Sequence, residues 1–225
     1  MSASLCSSRI EREIELICNP KRSLVNDIAV LDPTFNSGKN YISVLENFFK
    51  FNYRGKLSLQ TRLEMVNDAF IENITRLNSQ GARVVLECGI QTIIPDEMKV
   101  IKRLNNLKKI ESVTKKLRER NIEFEISVIF GLPEQTLESF EKTVDYCVEV
   151  LRPSRVDAFP LMILRGTELE KCRSKFGLTE ELLPANQFHL SKERILEGIP
   201  HVTSSFTFTK QQWLRMYKLA QSLNP

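Results

Sequence analysis

The 225-residue sequence predicts an α/β fold of mainly parallel strands, on three observations. Five short β-rich runs recur about every 32 residues, amphipathic stretches fill the intervals, and glycines and polar residues gather where the runs end. A spacing near 30 residues is what one strand, one helix and their two turns require.

The runs are Ile28–Leu31, Leu57–Leu59, Val84–Leu86, Phe124–Phe130 and Val156–Met162. Val84-Val85-Leu86 is apolar without alternation, which suits a sheet covered on both faces. Between the runs, Tyr41, Val44, Leu45, Phe48 and Phe49 make one helical stripe. Val66, Phe70, Ile74 and Leu77 make a second, and Phe140, Val144, Val148 and Leu151 a third. Gly55 and Gly81 follow helices and predict C-terminal caps, and Thr136 with Ser139 predicts the N-cap of the third helix. Gly38, Gly89, Gly131 and Gly166 instead follow strands, the end at which parallel α/β folds bind their ligands. Asp32, Thr34, Asn36, Gln60, Arg62, Glu87, Gln91, Glu134 and Arg165 make that same end polar. Beyond Gly177 the alternation stops. A strand–helix region over 1–178 and a C-terminal extension over 179–225 are therefore expected. The extension ends in a helix from Thr209 to about Leu223, with a Thr209/Gln212 capping box and a buried face of Trp213, Met216 and Leu219 or Ala220.

Composition removes several function classes. Hydrophobic residues are 42% and charged residues 27%, as in an ordinary globular protein. The 32 basic and 28 acidic residues leave +4, interspersed and without a stripe, so no nucleic-acid partner is expected. No apolar run approaches the roughly 18 residues of a membrane helix, and the start lacks a signal-peptide pattern. Five scattered cysteines argue against a secreted disulfide framework. A cytoplasmic location with no membrane partner is the expectation. No strand leads into a dinucleotide or P-loop glycine pattern, and Pro133 removes a backbone N–H from the nearest turn. His189 and His201 show no zinc spacing and are expected to be structural. A barrel hydrolase or lyase would have only Asp32, Glu87 and Glu134 as acid and base. Arg62 and Glu87 either face the strand-end mouth or form a buried ion pair.

The run Glu87-Cys88-Gly89-Ile90-Gln91-Thr92, then Arg103, then Ile129-Phe130-Gly131-Leu132-Pro133-Glu134-Gln135-Thr136, then Phe159-Pro160-Leu161 and Gly166-Thr167, resembles the radical S-adenosylmethionine superfamily. Leu31-Asp32-Pro33-Thr34-Phe35-Asn36 and Ser204-Ser205-Phe206-Thr207-Phe208 to Trp213 look most like the branch whose members often carry a cobalamin-binding domain. The resemblance implies a partial (βα) TIM-like barrel with a C-terminal helical extension. It implies that the five strands correspond to the second through sixth of six units, so that the first βα unit is incomplete. It also implies a cofactor site. Gln91 would bond the ribose of S-adenosylmethionine and Arg103 its carboxylate, while Gly131, Phe159 and Leu161 would flank adenine. Asp32 and Thr34 would lie near the methionyl group. An amide can meet a diol with both donor and acceptor, and a guanidinium grips a carboxylate through paired N–H groups.

The family's 4Fe-4S cluster sits on Cys-x3-Cys-x2-Cys, a pattern this sequence lacks. Cys6 is the one weak remnant candidate, and Ala3 stands where its neighbour ligand would be. A 4Fe-4S cluster is therefore expected only if a missing N-terminal part is supplied, and cobalamin is not expected in this chain. The reading is a truncated, radical-SAM-like iron-sulfur oxidoreductase fragment with a residual S-adenosylmethionine site. The alternative is a catalytically inactive remnant acting through binding or partner contacts. The exposed edge left by an absent first strand predicts self-association.

Overall fold

The computed structural model describes residues 7–19, 25–38, 40–183 and 198–223. Cys6, Pro184 and His189 lie outside the described residues.

All five predicted strands form, as β1 (Asp27–Val30), β2 (Lys56–Thr61), β3 (Arg83–Gln91), β4 (Glu123–Phe130) and β5 (Arg155–Pro160). They make one five-stranded sheet in sequence order, β1-β2-β3-β4-β5. β1 pairs parallel to β2, with Ile28 opposite Leu57, and β2 parallel to β3, with Leu59 opposite Leu86 and Thr61 opposite Cys88. Helices α1 (Ser7–Cys18), α2 (Tyr41–Lys50), α3 (Asp68–Ser79), α4 (Pro95–Val100), α5 (Leu107–Glu119), α6 (Leu137–Asp145), α7 (Glu168–Cys172) and α8 (Lys210–Ser222) alternate with or follow them. A hairpin of β6 (Thr179–Leu182) and β7 (Pro200–Ser204) pairs antiparallel within the extension. No described helix is long and apolar enough to cross a membrane.

The chain divides into two compact units, residues 1–89 with 108–125, and residues 90–107 with 126–225. In the first, α1 packs on α2 and α2 on α3, burying Ile14, Leu45, Phe48, Phe70, Ile74 and Leu77. Asn67 caps α3 by accepting from the Phe70 N–H at 2.9 Å, so Val66 precedes the helix although it is buried with it. In the second, α8 packs on α6, β5 and β7. Its Thr209/Gln212 capping box forms as predicted, and its buried face is Trp213, Met216, Tyr217 and Ala220. Trp213 is a core anchor: it is fully buried, its ring 5.6 Å from Phe130 and 5.7 Å from Tyr217.

Two local expectations are corrected. Val148 does not share the inward stripe of Phe140, Val144 and Leu151; it is exposed. Residues Tyr146–Leu151 open into a π-helical turn, whose i→i+5 bonds carry the inward face from Val144 to Cys147 and Leu151. Gly55 is not a helix cap, because α2 ends at Lys50 with Phe51 as its C-cap, and the left-handed residue that follows is Asn52, at φ 54°. A Cβ at Gly55 would stand 1.8 Å from the Asn26 carbonyl oxygen, so glycine is needed there for close backbone approach. Gly81, at φ 104°, is the predicted cap after α3.

Candidate functional site

β3 carries Gln91 to its C-terminal end and stops there with an unusual turn. The Thr92 N–H bonds the Ile90 carbonyl at 2.9 Å, a three-residue γ-turn around Gln91, whose φ is 69°. Left-handed backbone at a residue other than glycine is uncommon and strained. Asn105, in the segment after α4, donates its side-chain amide to the carbonyls of Ile90 at 2.8 Å and Thr92 at 3.0 Å. Arg103 lies two residues before it and is not a solvated helix charge: it is half-buried beyond the end of α4, its Nε out of solvent. Its backbone N–H bonds the Met98 carbonyl at 2.9 Å.

The turn after β4 is held from inside. Gln135 is fully buried, and its side-chain carbonyl accepts from the N–H groups of Gly131 at 2.7 Å and Leu132 at 3.2 Å. Its amide donates to the Ile129 carbonyl at 3.2 Å and to Glu97 at 3.3 Å. Glu97 is fully buried as well and accepts from Thr92 Oγ1 and Ser139 Oγ, each at 2.5 Å. Burial pushes its carboxyl pKa up, and the bonds from Ser139, Thr92 and Gln135 hold it down. Thr136 is the predicted N-cap of α6, and Ser139 bonds back to it to complete a capping box. Thr207 Oγ1 adds a bond to the Gln135 carbonyl at 2.6 Å. One buried carboxylate therefore ties the Gln91 turn to the Gly131 turn.

Gly131 has φ 87°, and a Cβ there would meet the Val202 carbonyl oxygen at 3.2 Å, Trp213 Nε1 at 3.6 Å and Leu161 Cβ at 3.7 Å. The side-chain side of Gly131 is thus filled by β7, α8 and the end of β5. Its backbone N–H is taken by Gln135. Leu161 is buried and Phe159 half-buried, and the Leu161 carbonyl accepts the Val202 N–H at 2.9 Å. The structure thus brings Gln91, Arg103, Gly131, Phe159 and Leu161 into one compact unit.

Asp32 and Thr34 lie in the other unit, both exposed or half-exposed after β1. Asp32 Oδ1 accepts the Thr34 N–H at 3.0 Å, a turn-forming role. Asn36, buried, clasps Arg62 through both amide atoms, at 2.9 Å to its carbonyl and 3.0 Å from its N–H. Among the described ion pairs Arg62 meets Glu64 at 3.4 Å and not Glu87, because Glu64 follows it in the same 3₁₀ turn. A cleft of about 880 Å³ in this unit opens at the N-terminal ends of β1 and β2, beside Asn26, Gly55 and Arg83. It sits opposite the strand ends where ligands bind in parallel α/β folds.

Among the described residues no group of three His, Cys, Asp or Glu side chains could hold a metal ion. Burial pushes the Cys147 thiol up to about 12 and the Cys18 thiol up to about 11. Cys18, Cys88, Cys147 and Cys172 are not gathered into a set that would fit an iron-sulfur cluster. His201 is a fully buried core histidine on β7.

Sequence reading missed Glu97 and Asn105, polar residues outside every quoted motif, and it named Asn36 and Gln135 only as members of motif runs, without the roles that their burial gives them.

No family model matches the chain. No curated protein matches it either. Solved structures do, and they define a class: the fold is the partial (βα) barrel of radical S-adenosylmethionine enzymes. One is the methyltransferase TsrM from Kitasatospora setae, solved with a tryptophan substrate and a S-adenosylmethionine analogue. It has TM-score 0.70 and 16% identity over 98% of this chain and 47% of its own. The same enzyme with cobalamin and a 4Fe-4S cluster gives TM-score 0.69 at 15% identity, covering 98% of this chain and 46% of its own. Elp3 from Methanocaldococcus infernus gives TM-score 0.55 at 16% identity, covering 96% and 58%. The chain spans about half the length of the TsrM structures.

Proposed function

We propose that this chain is a S-adenosylmethionine-binding segment of the radical-SAM type, and that Gln91 and Arg103 take the ribose and the carboxylate of that ligand. The observation that carries this reading is the strained turn at Gln91. Backbone strain at a strand end persists only where surrounding bonds enforce it, and it gathers at ligand sites. Here Asn105 and the Thr92–Glu97 bond supply that enforcement. The fold shared with TsrM, solved with a S-adenosylmethionine analogue, supports the same ligand class. The described residues fit S-adenosylmethionine better than a cluster, so the reading is of cofactor binding, with radical chemistry dependent on cluster ligands from elsewhere.

Calorimetric titration with S-adenosylmethionine tests it. Arg103→Ala should weaken binding at least tenfold, as loss of a charge-assisted bond does. Unchanged affinity in Arg103→Ala would refute the site.

A further inference from the structure

We infer that Asn105 is a positioning residue that holds Gln91 in its left-handed turn and keeps Gln91 in register with Arg103. A side-chain amide nitrogen carries two N–H groups, and here each is spent on one of the two carbonyls that flank Gln91, Ile90 at 2.8 Å and Thr92 at 3.0 Å. On an extended strand, carbonyls two residues apart are separated by about 6.7 Å. That is well beyond what bonds of 2.8 and 3.0 Å meeting at one nitrogen can span. Asn105 can therefore make both bonds only when the chain is contracted at Gln91. It selects the turned state over continuation of β3.

The clamp is itself held. The Asn105 N–H contacts Met98 Sδ at 3.5 Å, and the Arg103 N–H bonds the Met98 carbonyl. Met98 is buried on α4. On the far side of the turn, Thr92 Oγ1 donates to Glu97 and accepts the Ile94 N–H at 3.1 Å. The short segment from Arg103 to Asn105 thus carries one predicted ligand residue and fixes the backbone of the other. The functional half of this inference rests on the S-adenosylmethionine reading; the conformational half does not.

The test uses the full chain and two readouts. In the protein alone, hydrogen exchange at the Thr92 amide should speed up at least tenfold in Asn105→Ala, while Val85 in the middle of β3 stays protected. Asn105→Ser, which keeps one donor, should fall between and guards against a variant that fails to fold. Unchanged Thr92 protection in both variants overturns the inference. In calorimetric titration with S-adenosylmethionine, Asn105→Ala should lose about tenfold in affinity, yet add nothing in a Gln91→Ala background, since it acts through Gln91. Full additivity there overturns the positioning role. Loss of Thr92 protection in a protein that binds no S-adenosylmethionine would uphold the clamp and refute the ligand reading.

Discussion

The side-chain carbonyl of Gln135 accepts the backbone N–H of Gly131 at 2.7 Å, four residues back along the chain. The same oxygen accepts the Leu132 N–H at 3.2 Å, so the turn after β4 closes upon itself and both buried N–H groups are satisfied within the chain. Gln135→Leu would leave both N–H groups buried without acceptors. We expect a loss of about 3 kcal/mol, at 1–3 kcal/mol for each group, measured as a shift in the urea midpoint. A loss under about 0.5 kcal/mol would show that the turn is held by other means.

Glu97 sets a pH dependence. Its folded pKa lies above the ordinary 4.5, with burial the main cause. Between those values the native state holds a proton that the unfolded chain has released, so this contribution is full below 4.5 and lost as pH rises through the folded pKa. Glu97→Gln lacks the titration. Its stability relative to the natural protein should rise between pH 4.5 and 7, and a difference flat across that range would refute the assignment.

His201 acts in the opposite direction. Burial lowers its pKa from 6.5. As pH falls through that window the unfolded chain takes up a proton that the native chain does not, so stability is full above 6.5 and declines on acidification. His201→Phe should flatten the decline just below pH 6.5, followed by thermal melting at a series of pH values.

Gly131→Ala combines a left-handed φ of 87° with a Cβ placed 3.2 Å from the Val202 carbonyl oxygen. The left-handed penalty alone is about 1–2 kcal/mol. β7 must also shift, so hydrogen exchange should quicken at the Val202 amide, which bonds Leu161. An Ala variant as stable as the natural chain, with Val202 still protected, would contradict this packing.

Self-association through β1 remains a proposal, and the structure suggests how it depends on charge. β1 is the first strand of the sheet order and alternates exposed and half-exposed residues. Two copies paired antiparallel about the Ala29–Val30 midpoint would set Asp27 opposite Asp32, and like charges directly opposed are unfavourable. Light scattering should therefore show more association at high salt and in Asp32→Asn. A monomer under all these conditions would end the proposal.

The sequence by itself determined the strands, the direction of the sheet and the N-terminal caps of α6 and α8, because these depend on side-chain period and on bonds reaching three or four residues. The Thr136 N-cap, the Thr209/Gln212 box and the stripes of α2 and α3 are such cases. The tertiary structure decided which polar residues are buried and what they hold. Glu97 looks like one more surface charge in Pro95-Asp96-Glu97-Met98-Lys99, yet it meets Gln135 and Ser139, some forty positions away. Asn105 reaches back to Ile90, and Gly131 is closed over by Val202 and Trp213. Contacts between residues so far apart are fixed by how the elements pack. The local pattern of a polar residue is the same whether it faces water or a partner.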